Sequence, residues 1–305
     1  MACGLQPESR ANVARTTNMR AGSNTAIVVI TRNRCASLFR TLRRLQALPE
    51  RPPIVVVDNA SEDGTPRMVR SDFPDVDLVA LERNLGAAGR NVGVARTDRA
   101  YVAFADDDSS WAPGALTAAE DVFAAYPRLA LIAARVLVGE GSRLDPVCYQ
   151  MQEARLAAAP DLPGPRVLGF LSCGAIVRRE AFLQVDGFSE RFGVGGEERL
   201  VAIDLAARGY ALAYVDSIVA YHDPQSSSDR SGRQARLVRN ALWSAWLRRR
   251  SLSAVRETAR TTLRAARNLD ARRGLVEALR GLPWALRERR PVPAHLEADL
   301  HTLEQ

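Results

Sequence analysis

The sequence predicts an α/β fold in which a mainly parallel central sheet is covered by helices and is followed by a helical C-terminal region. Two observations lead to this fold class. Short β-branched runs alternate with helix-compatible stretches between residues 25 and 105, and each run ends in a cluster of polar residues. The chain has 305 residues, which is long enough for one large α/β domain with an appendage.

Four apolar runs predict the strands. They are Thr25–Thr31, Ile54–Asp58, Val76–Leu81 and Tyr101–Ala105. Helix-compatible stretches lie between them, at Ser37–Ala47, Gly64–Phe73 and Ala87–Arg96. This alternation is typical of parallel strands joined by crossover helices. The turn after the first strand reads TRNRCAS, without the glycines of a dinucleotide site, so the sequence disfavours a redox cofactor.

Polar residues follow each predicted strand at the point where it ends. These clusters are Thr31–Arg34, Asp58–Ser61, Glu82–Asn84 and the acid triplet Asp106, Asp107 and Asp108. The carboxyl ends of parallel strands form one ligand-binding edge, so we expect the clusters to meet there. Three adjacent carboxylates repel one another unless a cation or solvent separates them, so the triplet indicates a divalent-metal site. The alternative is a solvated acidic loop that caps the next helix.

The charge and the hydropathy of the chain exclude several classes of function. All 42 basic residues are arginine, which excludes a Schiff-base lysine and a phosphate-loop lysine. No apolar run reaches the roughly 18 to 20 residues of a transmembrane helix, so any membrane contact should be peripheral. Residues 1–24 lack the apolar core of a secretory signal and are expected to be a disordered tail. We expect a cytoplasmic protein, with peripheral contact at the inner face of the membrane.

The C-terminal region 226–305 is basic and helical in character. Residues 230–290 carry a net charge of +13 although the whole chain carries +7, so the rest is acidic. Helices are expected at 236–250, 251–269 and 274–290. In the second, an apolar stripe is flanked by Arg256, Arg260, Arg264 and Arg267; the stripe comprises Leu252, Val255, Ala259, Leu263 and Ala266. This pattern favours a helical cap packed on the core with a solvated basic face, and an interfacial helix on anionic lipid is the alternative. No motif for reading nucleic acid accompanies the charge.

Taken together, these residues resemble a known enzyme family. Five landmarks occur in the expected order: VVITRNR (28–34), VVVDNASEDGT (55–65), NLGAAGRNVGVA (84–95), FADDD (104–108) and CGAIVRREAFLQVDGFSERFGVGGEE (173–198). The chain resembles a family 2 glycosyltransferase with the GT-A fold, an α/β/α sandwich, over about residues 25–222. The resemblance implies a domain at 25–225, with a nucleotide-binding half (25–108) and an acceptor half (109–225).

The resemblance also implies the reaction. A sugar would move with inversion from a nucleotide-diphosphate donor, with UDP as the expected nucleotide, to a polysaccharide, a lipid-linked saccharide or a small natural product. Mg²⁺ or Mn²⁺ would assist. Two alternatives remain open from the residues: a sugar nucleotidyltransferase, or a catalytically silent protein that binds nucleotide sugars or acts as a scaffold at a membrane.

The resemblance assigns the donor and metal residues by position. Asp58 would accept a hydrogen bond from the base, or else close an Asx turn or cap a helix. The remaining donor-binding residues would be Thr31, Arg34, Arg90, Asp106, Asp107 and Gly174. Arg90 would contact ribose or diphosphate, or else lie on a solvated helix face. Gly174 would mark the approach of the backbone to the donor sugar. The metal ligands would be Asp108, its partner Asp106, and His222, for which a structural role is the alternative.

The catalytic base would come from Glu197 and Glu198. One of them would take the acceptor's proton, and the position of Glu198 favours it. The alternative is that both are first-turn charges favoured by the helix dipole. The sequence departs from the family pattern at Leu200, where relatives usually carry Asp, and at Asp204, where they usually carry Arg. These departures put the surroundings of the base in doubt and motivate the catalytically silent alternative.

Overall fold

A computed structural model describes residues 23–139, 141–153, 155–157, 159–224 and 232–304. The predicted disordered tail lies almost wholly outside these residues. Within the described part, nine strands form one sheet. The strands are β1 (Thr25–Thr31), β2 (Ile54–Asp58), β3 (Asp77–Ala80), β4 (Tyr101–Asp106), β5 (Ser109–Trp111), β6 (Leu129–Val138), β7 (Arg143–Leu144), β8 (Ala175–Arg178) and β9 (Ala211–His222).

The first half of the sheet is parallel, as predicted. Strands β3, β2, β1 and β4 lie side by side in that order, and their neighbours pair in parallel. Helices α1 (Cys35–Gln46), α2 (Thr65–Asp72) and α3 (Gly89–Arg96) connect them. The inner strands β1 and β2 are buried along almost their whole length, which explains their continuous apolar runs. The predicted bounds of all four strands are confirmed to within one residue.

The second half of the sheet is mixed. Strand β8 pairs antiparallel with both β4 and β6, β9 runs parallel to β6, and β5 lies antiparallel at the far edge. This half also contains α4 (Ala115–Ala125), α5 (Pro146–Gln152), α6 (Arg179–Gln184) and α7 (Glu198–Ala207). The two halves share one apolar core that extends across the sheet. A sheet with mainly parallel strands on one side and mixed pairing on the other is the predicted fold class.

The C-terminal region forms four helices. They are α8 (Arg233–Arg248), α9 (Ser251–Ala265), α10 (Leu269–Arg287) and α11 (Ala294–Thr302). The first three correspond to the predicted helices, and α11 was not predicted. Helix α8 packs on the sheet domain through an apolar cluster that joins Phe192 and Leu200 to Leu242 and Trp243. Gly274 and Gly281 allow α10 to approach α8, because a Cβ at either would lie under 3.0 Å from atoms of α8. None of the described helices combines the length and apolar character needed to cross a bilayer.

Candidate active site

The strand register brings the predicted polar clusters to one edge of the sheet. Thr31 at the end of β1 is aligned with Asp58 at the end of β2, and Ile30 is aligned with Asp106 at the end of β4. A cleft of about 690 Å³ opens at this edge, and we call it the rim cleft. Its walls include nearly all the residues that were predicted to bind the donor and the metal; these are Thr31, Arg34, Arg90, Asp106, Asp107, Asp108 and His222.

The three carboxylates of the acid triplet have different partners. Asp106 forms an ion pair with the buried guanidinium of Arg90. Asp107 points inward and accepts a hydrogen bond from Thr31 Oγ1 at 3.0 Å. Burial, followed by the charges of Asp108 and Asp106, raises the pKa of Asp107 to about 7. Asp108 lies with its Oδ1 atom 3.4 Å from His222 Nε2. Asp106 has the most exposed side chain of the three, at 34%, whereas those of Asp107 and Asp108 are 12% and 9% exposed and pair with Arg34 at 3.7 and 3.8 Å.

Asp108 and His222 are the residues of this edge that were predicted to bind a metal together with Asp106. Within the part of the chain that the structure describes, no three His, Cys, Asp or Glu side chains converge as a complete metal site. Asp108 and His222 nevertheless face each other and offer one carboxylate and one imidazole. Burial lowers the pKa of His222, but the hydrogen bond and charge of Asp108 outweigh it and raise that pKa above its ordinary value. The Asp108 carboxylate fits Mg²⁺ or Mn²⁺, which commonly take one or two protein carboxylates and complete their shells with substrate phosphates. The imidazole of His222 can join such a site only in its neutral form.

Asp58 is enclosed beside the rim cleft. Its Oδ2 atom accepts a hydrogen bond from the backbone N–H of Ser61 at 3.0 Å, which is the Asx turn considered above. Its Oδ1 atom is buried and has no hydrogen-bond partner among the described residues. An unpaired buried acceptor is costly, so the free oxygen fits a ligand that brings a donor. The turn and the base-binding role are therefore compatible, one for each oxygen.

Arg90 is buried, so the alternative of a solvated helix face is wrong for this residue. Its guanidinium lies 5.5 Å from the centre of the Phe188 ring, and within the described part of the chain its Nε atom has no hydrogen-bond partner. The adjacent Asn91 binds the backbone of Phe188 in both directions, at 2.8 and 2.9 Å. Helix α3 thereby ties the rim cleft to the loop at Asp186, which has φ near +60°. That conformation is easiest for glycine.

Gly174 has a packing reason for being glycine. A Cβ at this position would lie 2.4 Å from a methyl group of Val136 on β6. Its predicted place beside a donor sugar stays a prediction.

Glu197 and Glu198 lie in different environments although they are adjacent. Glu197 is only 3% exposed, and its carboxylate accepts a hydrogen bond from the backbone N–H of Gly195. Glu198 begins α7 and accepts a hydrogen bond from Ser172 Oγ at 3.0 Å. It lines a second cleft of about 700 Å³, the Glu198 cleft, together with Phe170 and Gly169. A substrate can therefore reach Glu198, whereas Glu197 is turned back into its own loop.

The short segment around Cys173 connects the two groups of carboxylates. Residues 172–174 pack on β4, the strand that ends at Asp106, and Ser172 binds Glu198. Burial raises the pKa of the Cys173 thiol well above the ordinary value. One loop also links the two clefts, because Val194 lines the rim cleft and Gly196 lines the Glu198 cleft. The rim cleft and Glu198 are therefore neighbours.

The pKa of Glu197 predicts a pH dependence of stability. Burial, followed by the charge of Glu198, raises this pKa from 4.5 to about 7. The folded protein therefore holds a proton that the unfolded chain loses, and the resulting stabilisation is complete below pH 4.5 and is lost as the pH rises through 7. Compared with wild type, Glu197→Gln should remove a decline on the order of 3 kcal/mol across this range. Denaturant unfolding at a series of pH values would measure it. An equal change in the exposed variant Glu82→Gln would contradict the assignment.

The departures from the family pattern have a structural explanation. Leu200 is buried in the apolar cluster against α8. Asp204 forms a two-point ion pair with Arg248 of α8, one contact of which measures 2.9 Å. Both residues therefore hold α7 against the C-terminal helices. They are no longer a reason to expect a catalytically silent protein.

Helix α8 supplies contacts to the site that the sequence did not predict. Asn240 is fully buried and donates hydrogen bonds to the carbonyls of Phe192 and Gly195, at 2.9 and 2.7 Å. It thereby holds the loop that carries Glu197. At the start of the same helix, Arg233 and Arg236 line the rim cleft. The only signal for these residues was the basic character of the tail, which does not say where each arginine points.

Comparison with known proteins agrees with this geometry. The geometry combines a mainly parallel sheet, carboxylates at its rim and a reachable glutamate in the neighbouring cleft. The sequence pattern of glycosyl transferase family 2 matches residues 26–185, more than half of the chain, and the chain belongs to this family. It is therefore a glycosyltransferase. Glu197, Glu198 and His222 lie beyond the matched residues.

The individual relatives described next are all less than 30% identical to this chain. An N-acetylglucosaminyl-diphospho-decaprenol L-rhamnosyltransferase from Mycobacterium tuberculosis is 28% identical over 238 residues, which cover 67% of this chain and 77% of the relative. The mannosyltransferase PcManGT from Pyrobaculum calidifontis, solved with GDP-Man and Mn²⁺, is 19% identical with a TM-score of 0.56, covering 93% of this chain and 76% of that one. S. aureus TarS 1–349 with UDP is 16% identical with a TM-score of 0.52, covering 77% and 68%. These structures establish the GT-A fold.

Proposed function

We propose that this enzyme transfers a sugar, with inversion, from a nucleotide-diphosphate donor in the rim cleft to an acceptor hydroxyl in the Glu198 cleft. The observation that carries the proposal is the segment Ser172–Gly174, which packs on the strand that ends at Asp106 and binds Glu198 through Ser172 Oγ. UDP is the first nucleotide to test, because UDP is bound by TarS, whose fold is similar. The relative from M. tuberculosis, named for a diphospho-decaprenol acceptor, supports a lipid-linked saccharide as the acceptor class.

Each residue then has a defined task. Glu198 accepts the proton of the acceptor hydroxyl while its oxygen forms the new bond to the anomeric carbon. The bond from that carbon to the diphosphate breaks, and the nucleoside diphosphate leaves with the electron pair. Arg34 and Arg90 lie on the wall of the rim cleft and bring positive charge to the phosphates. Asp58 Oδ1 offers its free acceptor to the base.

The proposal includes a divalent cation, which PcManGT also carries as Mn²⁺. Asp108 and His222 would hold it, with Asp106 alongside. Bound there, Mg²⁺ or Mn²⁺ would neutralise charge on the leaving diphosphate.

Donor binding tests the proposal directly. We expect UDP-, GDP- or dTDP-sugar with Mn²⁺ to raise the unfolding temperature, since a ligand at 100 times its Kd adds about 2.7 kcal/mol to the stability of the folded state. The shift should disappear with EDTA and in Asp108→Ala, and transfer should fall by about 10²–10³-fold. Asp98→Asn is the matched control, because that carboxylate is 98% exposed. Transfer that persists without metal would overturn the metal assignment, and absence of any donor shift would overturn the donor assignment.

A further inference from the structure

The outward face of α9 and α10 carries apolar side chains that none of the other described residues covers. Seven of the twelve large hydrophobic side chains that are exposed in the described residues lie on these two helices. They are Leu252, Val255, Leu263, Leu269, Val276, Leu279 and Leu286. Leu263 is 77% exposed. A concentration of this kind is unusual for a surface that faces only water.

The inward faces of the same helices are already occupied. Small residues such as Ala254 and Ala265 of α9, and Ala278 and Ala285 of α10, are buried. Trp246 of α8 donates a hydrogen bond to Thr258 Oγ1 at 3.0 Å, and Trp243 donates one to the carbonyl of Ala278 at 3.0 Å. The helices therefore pack on α8 with one face and present the opposite face outward.

The apolar stripe predicted on α9 is thus an outer stripe. Leu252, Val255 and Leu263 are spaced for one side of a helix, on the side opposite Ala254 and Ala265. On α10, Val276, Leu279 and Leu286 lie opposite the buried Gly274 and Ala278 in the same way. The short connection at residues 266–268 makes the two helices neighbours, so we treat both stripes as one surface, the α9–α10 face.

Arginines border this surface. Eight of them are exposed, at positions 256, 260, 264, 267, 272, 273, 280 and 287. Among the described residues, only Arg260 of the eight has a carboxylate within ion-pair distance, that of Glu257 at 3.9 Å. The predicted cap with a merely solvated basic face accounts for the arginines, but it does not account for the leucines beside them.

We propose that the α9–α10 face docks on the surface of an anionic phospholipid bilayer. The leucine and valine side chains enter the boundary between headgroups and acyl chains, while the arginines remain at the level of the phosphates. The choice of a lipid surface rests on the match between anionic headgroups and this cationic border, in which seven of the eight arginines have no carboxylate of the described residues within ion-pair distance. It also rests in part on the proposed function, because a lipid-linked acceptor would lie in such a membrane.

Docking would be connected to the active site through α8. Gly274 and Gly281 of α10 pack directly on this helix, and Asn240 of α8 holds the carbonyls on either side of the Gly193–Gly195 turn. The surface and the acceptor-side loop therefore rest on one rigid element.

Vesicle sedimentation with the full chain tests the proposal. We expect the protein to sediment with vesicles of phosphatidylcholine and phosphatidylglycerol at least about tenfold more than with phosphatidylcholine alone, and salt should weaken this binding. Leu263→Glu with Leu279→Glu should abolish it, and Arg256→Gln with Arg264→Gln should reduce it severalfold. Leu183→Glu on α6, and Arg67→Gln with Arg70→Gln on α2, are matched controls on exposed helix faces. Unchanged unfolding temperatures would show that all variants are folded.

The outcomes separate this inference from the proposed function. The donor-induced rise in unfolding temperature is measured on the same variants, none of which touches the rim cleft. A donor shift without vesicle binding overturns the docking surface and leaves the proposed function standing. Vesicle binding without a donor shift overturns the proposed function and leaves the docking surface standing. Vesicle binding that the leucine variants retain, or that does not distinguish the two lipid mixtures, also overturns the proposal. The proposal is also overturned if the protein does not bind vesicles but self-associates in light scattering, and the leucine variants abolish that self-association.

Discussion

Glu198→Gln should lower the rate of sugar transfer by about 10²–10⁴-fold while the donor still binds. Glutamine keeps the size of the side chain and can still accept the hydrogen bond from Ser172, but it cannot take up the proton of the acceptor hydroxyl. The effect should therefore appear in kcat, with little change in the donor-induced rise of the unfolding temperature. Initial rates with a saturating donor would measure it.

The adjacent glutamate provides the decisive comparison. Glu197 is 3% exposed and is bonded to its own loop, so Glu197→Gln should change stability more than it changes kcat. Glu180→Gln, on the exposed first turn of α6, is the matched control for the loss of a carboxylate. If Glu197→Gln abolished transfer while Glu198→Gln remained active, the roles of the two residues would be reversed.

The first half of the fold could be predicted because its signals are local. A β-branched run such as Ile54–Asp58 is buried on both faces of the sheet, so its composition alone identifies it as a strand. Parallel pairing then places the ends of these strands at one edge. The position of Asp106 near Asp58 follows from those two steps, without any knowledge of side-chain contacts.

The second half could not be predicted in the same way. Strand β6 was visible only as an apolar run, and nothing local indicates that it pairs with β8 in one direction and β9 in the other. Likewise, the bonds from Asn240 to Phe192 and Gly195 join residues that are more than 40 positions apart. Periodicity cannot report such contacts, so the part of the site built by α8 became visible only in three dimensions.

The family pattern itself was informative where the sequence departed from it. Considered from the sequence alone, Leu200 and Asp204 indicate that the surroundings of the base are altered. In the structure they lie on the side of α7 that meets α8, where an apolar residue and a carboxylate are what the partner helix requires. The identity of a residue near a catalytic position can thus be determined by the helices that pack against its own helix.

Restoring the usual family residues should therefore destabilise this enzyme. Leu200→Asp would bury a carboxylate among Phe192, Leu242 and Trp243, and we expect a loss of at least about 3 kcal/mol in the free energy of unfolding. Leu200→Met is the matched control and should cost less than about 1.5 kcal/mol, because it conserves volume and polarity. Denaturant unfolding would measure both values.

The ion pair on the same interface allows a reciprocal test. Asp204→Arg places a second guanidinium against that of Arg248, in a site where both native side chains are less than one-fifth exposed. We expect this single change to cost about 3–5 kcal/mol, because it leaves buried charge uncompensated. The exchanged pair, Asp204→Arg with Arg248→Asp, should recover a substantial part of that loss, since attraction across the interface is restored with its sign reversed.

Transfer activity should follow stability through this series, because Glu198 begins the helix on which both residues lie. If Leu200→Asp instead preserved stability and increased transfer, α7 would not depend on α8, and the departures would again mark a weakened catalytic site. An exchanged pair no more stable than Asp204→Arg alone would mean that the contact between Asp204 and Arg248 does not hold α7 in place. Recovery in the exchanged pair, together with the loss in Leu200→Asp, would establish that the C-terminal helices help to position the catalytic base.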